Sequence, residues 1–193
     1  PSFASDEPAA DESLQEVVVF GRGETRQLQG IDAAQIEYLP AGTSPLKAIE
    51  KLPGVNFQSA DPFGSYEWST RIVVRGFNQN QLGFTLDGVP LGDMSYGNHN
   101  GLHISRAVPT ENVGRVLLSQ GAGALATASS NNLGGTIEFY SIDPSSDFDG
   151  QLELTGGSDS TRRVFGRIES GEIGTLGTRF YFSATDGLTE KWK

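Results

Sequence analysis

Three segments near the end of the sequence alternate polar and apolar side chains, over residues 149–155, 163–170 and 178–185. A period of two is that of a β-strand, whose successive side chains point to opposite faces. Each segment approaches the roughly 9–11 residues that a tilted strand needs to cross a bilayer. Glycine-rich turn sequences separate the three segments. We therefore predict an antiparallel meander of three strands after residue 145.

A short amphipathic helix is predicted upstream, because apolar residues recur at helical spacing at Leu46, Ile49 and Leu52. Ser44 is a favourable N-cap and Pro45 suits the first helical position. Pro53-Gly54 would end the helix after about two turns.

Further strands are predicted where short apolar runs are bounded by turn residues, over residues 71–75, 83–86, 89–91, 113–119 and 135–140. Asp87-Gly88 separates the second and third runs and favours a two-residue hairpin turn. The small residues from 121 to 132 can form only a short helix or loops. The pattern indicates a compact domain of mixed α and β structure that ends near residue 145.

Charge and composition exclude several classes of protein. The 193 residues carry a net charge of −10, which argues against nucleic-acid binding because that depends on Lys and Arg. Part of the acidity lies in residues 1–15, which we expect to form a solvated, mobile arm. The absence of Cys excludes disulfides and thiol catalysis. No apolar run reaches the roughly 20 residues of a membrane-spanning helix, but barrel strands leave no such run.

Five motifs, in order along the chain, together resemble those of TonB-dependent receptors of the outer membrane. They are residues 16–21 (EVVVFG, similar to a TonB box), 46–55 (ending LPGV), 74–77 (VRGF), 86–90 (LDGVP), and a closing set made of 114–116 (GRV), Gly121 and 134–137 (GGTI). Each motif alone is weak, but their order is specific, and the resemblance covers roughly residues 16–140.

The resemblance implies a fold class: an α+β plug domain, a small mixed sheet with short helices, followed by the first antiparallel strands of a truncated transmembrane β-barrel. In the family the plug lies inside a barrel of about 22 strands. The implied organisation is an acidic arm over 1–15, a TonB box over 16–21, a plug over 22–145 and barrel strands over 146–193.

The implied function is that of a non-enzymatic receptor in the outer membrane, without a cofactor or a resident metal. It would bind a scarce small-molecule nutrient, such as a ferric siderophore, and import it with energy relayed by the periplasmic C-terminal domain of TonB. The strands would contact outer-membrane lipid, and the N-terminal arm would be periplasmic. The open alternative is a soluble β-rich ligand-binding domain whose last strands close a small sandwich.

The predicted TonB-binding residues are Glu16, Val17, Val18, Val19 and Phe20. A β-branched run on a mobile arm offers free backbone N–H and C=O groups, so it can add as a strand to the edge of a partner's sheet. The alternative is that this run is simply the first strand of the plug.

The resemblance is incomplete where the family seats its plug through charged residues. Leu117 and Gln120 stand at positions that usually carry an acid and an arginine. Arg75 and Arg115 remain and are the predicted plug-seating residues. Since buried ion pairs often contribute little net stability, packing and hydrogen bonds could replace part of that network.

Candidate ligand-binding residues lie in loops that mix aromatic, amide and imidazole side chains, namely Tyr66, Trp68, Asn78, Tyr96, Asn98 and His99. Aromatic rings provide contact area and amides provide orientation toward a polar ligand. The resemblance would place apical plug loops toward the extracellular side. The alternative is that these side chains pack against the barrel wall or line its wet interior.

Motifs for enzymatic chemistry are weak. Residues 121–126 (GAGALA) match a dinucleotide fingerprint, but the sequence that follows is too short and polar for the required helix. His99 and His103 could share a helical face as metal ligands, but their surroundings have loop composition and no third ligand stands near in sequence. No nucleophile or acid/base motif is present.

Overall fold

The computed structural model describes residues 28–94, 101–121, 127–129 and 131–190. The predicted arm and TonB box therefore lie outside the described residues. The strands are β1 Leu28–Asp32, β2 Val55–Gln58, β3 Arg71–Val74, β4 Phe77–Asn78, β5 Gly83–Leu86, β6 Val89–Pro90, β7 Val113–Gln120, β8 Gly135–Ser141, β9 Phe148–Gly156, β10 Arg162–Ser170 and β11 Tyr181–Leu188. The α-helices are α1 Ala33–Glu37, α2 Pro45–Ala48 and α3 Ile104–Ala107, with 3₁₀ turns at Ile49–Lys51, Gln79–Gln81 and Thr110–Asn112.

The main sheet has five strands in the order β1-β7-β8-β5-β6. All its pairs are antiparallel except β5 with β8, which run parallel, so the sheet is mixed. A parallel pair needs a crossover, and the chain between β5 and β8 supplies it through β6, α3 and β7. A second sheet, β2-β3-β4, is antiparallel and small.

The core of this first region is apolar. Fully buried side chains come from both sheets and from the helices, among them Leu46, Ile49, Ile72, Leu82, Phe84, Ile104, Leu118, Ile137 and Phe139. Burying each such side chain contributes about 1.5–3 kcal/mol relative to leaving it in water. The packing of these residues is the main source of stability of the region.

The predicted helix is present as α2 continued by a 3₁₀ turn. The Ser44 side chain accepts a hydrogen bond from the Leu46 N–H at 3.4 Å, and Pro45 occupies the first turn. The predicted hairpin is also present: Asp87 and Gly88 both have positive φ, at 49° and 78°. Such φ values at both central residues define the type I′ turn that joins β5 and β6.

The last three strands form a separate antiparallel sheet in the order β11-β10-β9. Leu154 faces Val164 across β9 and β10, and Ile168 faces Phe182 across β10 and β11. The third strand begins at residue 181 rather than 178, and Thr178 instead forms an isolated bridge with Ile173 in the preceding loop. The predicted boundary near residue 145 falls in the connection between β8 and β9. Among the described residues, no helix is long and apolar enough to cross a bilayer.

Candidate functional site

The meander β9–β11 exposes most of its apolar side chains and turns most of the polar side chains of β10 toward the first region. Leu152, Leu154 and Phe182 are 70%, 73% and 72% exposed. On the other face of β10, Arg163 and Arg167 are mostly covered and Glu169 is buried. Alternate residues of a strand point to opposite faces, so the pattern gives the sheet a mainly apolar outer face and a mainly polar inner face.

The inner face meets the first region through a group of polar residues that we name the seam cluster: Glu111, Asn112, Arg163, Arg167, Glu169 and Ser183. The two Arg163 η-nitrogens donate to the two carboxylate oxygens of Glu111 at 2.7 and 2.8 Å. Glu111 Oε1 also accepts from the Gly42 N–H at 3.1 Å. A bidentate Arg–carboxylate pair is among the stronger and more directional contacts in proteins.

A second layer of the seam cluster surrounds Arg167. Its Nη1 donates to the Glu111 carbonyl at 2.7 Å and to Asn112 Oδ1 at 3.2 Å. Its Nε lies 2.9 Å from Glu169 Oε1, close enough for an ion pair although the angle is not that of a hydrogen bond. Asn112 Nδ2 in turn donates to Ser183 Oγ on β11 at 2.7 Å.

The charges of the seam cluster balance, with two arginines against two glutamates. The Arg163 and Glu111 side chains are only 15% and 8% exposed, so both are largely removed from water. The site also depends on Gly42, whose φ is 85°. A Cβ there would meet Arg163 Cδ at 2.7 Å, so glycine permits both the backbone conformation and the close approach of the arginine.

A cavity of about 610 Å³ lies between the first region and the ends of β10 and β11. Residues with hydroxyl or guanidinium side chains line it from both sides, including Ser65, Tyr66, Arg106, Arg163, Thr185 and Thr189. Its size falls within the usual range for small-molecule sites. Tyr66, one of the predicted ligand-binding residues, is on this cavity.

The loop that carries Tyr66 and Trp68 is organised by the Asp61 carboxylate. It accepts from the backbone N–H groups of Phe63 and Tyr66, both at 2.9 Å, and from Ser59 Oγ at 2.8 Å. Burial raises the pKa of Asp61, but the hydrogen bonds from Tyr66, Ser59, Ser65 and Phe63 outweigh it, so the pKa lies below its ordinary value. The loop is therefore held by a charged carboxylate.

The predicted aromatic pair is brought together. The ring centroids of Tyr66 and Trp68 are 6.2 Å apart, and both side chains are partly exposed. Trp68 Nε1 donates to Glu67 Oε1 at 3.1 Å, and the same oxygen lies 3.0 Å from Arg106 Nη1. The pair thus sits on a loop linked to α3.

The other candidate ligand residues are placed differently. Asn78 is exposed on β4, where its N–H donates to Gln81 Oε1 at 3.0 Å at the start of a 3₁₀ turn. Tyr96, Asn98 and His99 lie outside the described residues, as do residues 122–126 of the dinucleotide-like motif. In the part of the chain that the structure describes, no three His, Asp or Glu side chains converge as a metal site would require.

His103 is buried at the N-cap of α3, and its Nδ1 accepts from the Ser105 N–H at 3.3 Å. Burial lowers the pKa of His103 to about 4. Glu67 opposes this shift and Arg106 adds to it. The imidazole is therefore neutral near pH 7 and serves the helix as a cap.

The two predicted plug-seating arginines are both exposed. Arg75, with a φ of 49°, lies over Gly54, where a Cβ would meet its Cγ at 3.1 Å. The Arg115 guanidinium lies 5.5 Å from the centre of the Tyr140 ring, within cation–π range. Their contribution to plug seating stays a prediction.

The two unusual neutral residues have structural partners. Gln120 is buried, and its Nε2 donates to the Pro53 carbonyl at 2.7 Å. Leu117 packs against Gly30 across β1 and β7, where a Cβ on Gly30 would meet Leu117 Cδ2 at 2.9 Å. Packing and an uncharged hydrogen bond therefore occupy positions where the resemblance led us to expect charges.

Sequence reasoning missed the seam cluster. The alternation in β10 does place Arg163, Arg167 and Glu169 on one face, which is a readable signal of a polar inner surface. The sequence around Glu111 does not indicate its partner, because Arg163 lies 52 residues further along the chain.

The chain was compared with known families and structures. A family model described as the TonB-dependent receptor plug domain matches residues 22–136. The pyoverdine outer-membrane receptor FpvA of Pseudomonas aeruginosa PAO1 is similar with a TM-score of 0.63 at 21% identity, over 83% of this chain and 22% of that one. The ferric yersiniabactin uptake receptor FyuA of Yersinia pestis is similar with a TM-score of 0.58 at 19% identity, over 82% and 23%.

The siderophore receptor PirA of Acinetobacter baumannii is similar with a TM-score of 0.59 at 19% identity, over 86% of this chain and 26% of that one. No curated protein sequence matches. The chain spans about a quarter of the length of the receptors that it resembles.

These likenesses confirm the predicted fold class. The family model covers the short helices and the mixed sheet up to the start of β8, and the structural matches cover more of the chain than that model does. At these identities the structural matches establish the fold, while the family model establishes membership. The chain belongs to the TonB-dependent receptor plug domain family.

Proposed function

We propose that this chain is the N-terminal part of a TonB-dependent outer-membrane receptor, in which the plug domain gates a barrel that begins with β9–β11. The receptor binds a scarce nutrient outside the cell and imports it with energy relayed by TonB. The observation that carries the proposal is the polarity of the meander: its outer face is apolar, and its inner face holds the buried charges of the seam cluster.

This polarity favours a membrane barrel over the soluble alternative. A soluble sandwich buries apolar side chains between its sheets and turns polar ones to water, whereas membrane barrel strands face lipid with apolar residues and the lumen with polar ones. The exposed apolar side chains of the three strands include Phe148, Leu152, Leu154, Val164, Ile168 and Phe182. Asp186 and Arg162 also lie on this face, toward the end that joins β9 to β10. A mainly apolar exposed face of this kind marks a surface that another apolar phase covers.

The proposed localisation follows from the same polarity of the meander. β9–β11 contact outer-membrane lipid, the plug lies inside the barrel, and the residues before β1 extend into the periplasm. A test is to express the complete receptor and to ask whether it fractionates with the outer membrane as a heat-modifiable barrel. Recovery of a monomer that is water-soluble without detergent would instead support the soluble binding domain.

The proposed coupling segment is Glu16 to Phe20, which would add as a strand to a sheet edge of the C-terminal domain of TonB. The segment precedes β1, which is an edge strand of the main sheet. The experiment is a Val18→Cys variant of the complete receptor crosslinked to TonB carrying single cysteines, with Ala10→Cys in the acidic arm as the matched control. An adduct at Val18 but not at Ala10 is expected. No adduct at either position would contradict the coupling segment.

The proposed cargo is a polar small molecule, with ferric siderophores as the class to test first. The support is the paired rings of Tyr66 and Trp68 beside the cavity and the names of similar receptors, which include siderophore and ferric yersiniabactin receptors. Asn78, Tyr96, Asn98 and His99 remain candidates for the same role. No catalytic step is part of the proposal.

Uptake of radioactive iron as a panel of ferric siderophores, in cells with and without TonB, tests the cargo. A Trp68→Ala variant is expected to weaken binding of the transported compound, and Tyr38→Ala is the matched control because Tyr38 is an exposed aromatic residue of the plug. Equal uptake with and without TonB for every compound would contradict the energy-coupled import of siderophores.

The proposed seating role of Arg75 and Arg115 is tested separately. Arg75→Gln and Arg115→Gln are expected to increase entry of a large antibiotic that an intact outer membrane excludes, and Lys51→Gln, at another exposed site, serves as the control. If neither variant leaks more than the control, these arginines do not seat the plug.

A further inference from the structure

We propose that the seam cluster is a permanent anchor, which stays closed during transport so that the plug opens on the side away from β10. This inference rests on the proposed function. It assigns a positioning role to Glu111, Arg163 and Arg167, and it locates the moving part of the plug elsewhere.

Several separate segments converge on β10 at the cluster. Glu111 joins the turn before β7 to Arg163 and to the backbone of Gly42. The two plug segments are also tied to each other, because Thr110 Oγ1 donates to the Thr43 carbonyl. Glu169 Oε2 accepts from the Ser145 N–H at 2.7 Å, so the connection between plug and meander is held as well.

The buried charges make partial opening of the cluster costly. Glu111 and Arg163 are nearly covered, and the loss of one partner would leave an uncompensated charge away from water. Arg167 binds the carbonyl and the side-chain oxygen of adjacent residues of one turn. Moving the turn that contains Glu111 and Asn112 away from β10 would therefore break the contacts of Arg163 and those of Arg167 at the same time.

The register of the main sheet places the cluster far from the N-terminal segment that TonB would pull. β1 pairs antiparallel with β7, with Leu28 opposite Ser119 and Asp32 opposite Arg115. The cluster lies at the other end of β7, immediately before Val113. Tension on the residues before Leu28 thus acts first where β1 pairs with Ser119 of β7, and it separates the five residues of β1 from β7 one pair at a time. The contacts of the seam cluster, in contrast, would have to break together.

The first experiment removes charge from the anchor in the complete receptor, in cells without TonB. Glu111→Gln is expected to increase entry of a large antibiotic at least tenfold, because it leaves Arg163 unpaired. The matched control is Glu67→Gln, which breaks the more exposed pair with Arg106, whose side chains are 22% and 67% exposed. The charge swap Glu111→Arg with Arg163→Glu is expected to recover more of the barrier, and of assembly, than Glu111→Arg alone.

The second experiment closes the anchor covalently. Since residues 1–193 contain no cysteine, the pair Asn112→Cys with Ser183→Cys provides the only thiols of this part of the receptor, at positions whose side chains touch. Any cysteine in the rest of the receptor is replaced by serine. Under mild oxidation or with a short bis-thiol crosslinker, the bridged receptor is expected to keep at least half of its TonB-dependent uptake. The reduced form of the same variant is the control.

The outcomes are distinguishable from one another. Loss of uptake on bridging, with recovery on reduction, would overturn the anchor by showing that the seam must open. Failure to bridge would overturn it by showing that the two residues are not in contact in the receptor. The anchor would also be overturned if Glu111→Gln and wild type admitted the antibiotic equally. It would be overturned too if Glu111→Arg were defective and the added Arg163→Glu recovered neither the barrier nor assembly. The proposed function would fail separately, through a wild-type receptor that shows no TonB-dependent uptake.

Discussion

The plug, residues 28–141, and the meander, residues 148–188, bury opposite kinds of side chain. In the plug the buried side chains are mostly Leu, Ile, Val and Phe, and charges are mostly on the surface. In the meander the well-covered side chains include Arg163, Arg167 and Glu169, while the Leu side chains and every Phe except Phe165 are exposed. The two regions belong to one chain, and the proposed function accounts for the difference by the medium that each outer surface would meet: a polar lumen around the plug and lipid around the strands.

The comparison also explains where the charged contacts lie. Burying a charge is costly unless it is paired, and the seam between the two regions offers pairing because each side presents polar groups to the other. Phe165 is the apolar exception on the inner face of β10, and the Arg163 guanidinium lies 5.6 Å from its ring centre. The seam therefore joins the regions mainly through directional polar contacts, with little apolar burial.

The largest expected effect is on the plug core. Phe139→Ala removes a fully buried ring and is expected to lower the free energy of unfolding of the plug by about 3–5 kcal/mol. Phe182→Ala is the matched change on the exposed face of the meander and is expected to leave plug stability within about 0.5 kcal/mol of wild type. Amide hydrogen exchange of plug residues in the complete receptor measures both. Equal losses of protection would contradict the assignment of the two faces.

The second prediction tests the medium around the meander. Leu152→Arg places a charge in the middle of β9, where a site facing lipid would lose about 2–4 kcal/mol and a site facing water would change by no more than about 0.5 kcal/mol. We expect much less assembled receptor in the outer membrane. Gln151→Arg, on the opposite face of the same strand, is the control and is expected to assemble better. Similar assembly of both variants would remove the main support for the barrel.

The third prediction concerns acid. The pKa of His103 is lowered to about 4 in the folded plug from an ordinary value of 6.5, so the unfolded chain binds the proton first as the pH falls. Stability is therefore lost from about pH 6.5 down to about pH 4, and the loss at pH 5 is about 2 kcal/mol. The measurement is amide exchange of the plug at pH 7.5 and pH 5, corrected for the intrinsic exchange rates.

The control for this prediction is His103→Asn, which keeps an N-cap side chain but does not titrate in this range. This variant is expected to show a smaller loss of plug stability between pH 7.5 and pH 5 than the wild type. Asp61 does not interfere: its pKa is lowered, so the stability that it contributes is present above its unfolded value of 3.8 and is lost only at lower pH. An unchanged slope in His103→Asn would mean that another group is responsible.

The elements that the sequence predicted well are those with local signals. The α2 helix carried an N-cap at Ser44 and a stop after Leu52, the β5–β6 hairpin carried Asp87-Gly88, and the meander strands carried strict alternation. The pair β1 and α1 went unpredicted, although a capping box formed by Asp32 and Gln35 marks the start of α1. β1 is short, and Gly30 interrupts its pattern.

The parts that could not be predicted depend on long-range pairing. No local signal places β5 beside β8 in a parallel pair or sets the order of the main sheet. The candidate site was predicted in part: Tyr66 and Trp68 do lie together beside a cavity, but Glu111 acquires its importance only from Arg163 in the other region. Pattern and propensity give the elements, while their contacts require the folded structure.

The smallest expected effect concerns Gln120, the neutral residue at a position where the family resemblance led us to expect a charge. Its Nε2 donates to the Pro53 carbonyl at 2.7 Å, but its buried Oε1 has no hydrogen-bond partner among the described residues. Gln120→Leu, of similar size, removes one good hydrogen bond together with one unsatisfied acceptor, and it leaves the Pro53 carbonyl without this donor. These contributions partly cancel, so we expect a loss of only about 1 kcal/mol in plug stability.

Gln120→Arg tests the same position further, because it introduces the charge that the resemblance led us to expect at a site that the plug encloses. If a carboxylate of the complete barrel reaches this site, the arginine will be paired and the plug will keep its stability. If the plug alone encloses it, a charge without a partner will cost more than the leucine does. We expect the second result, since the side chain at 120 is directed to Pro53 and Gln29 within the plug. Amide hydrogen exchange of plug residues, compared directly between Gln120→Leu and Gln120→Arg, distinguishes the two results.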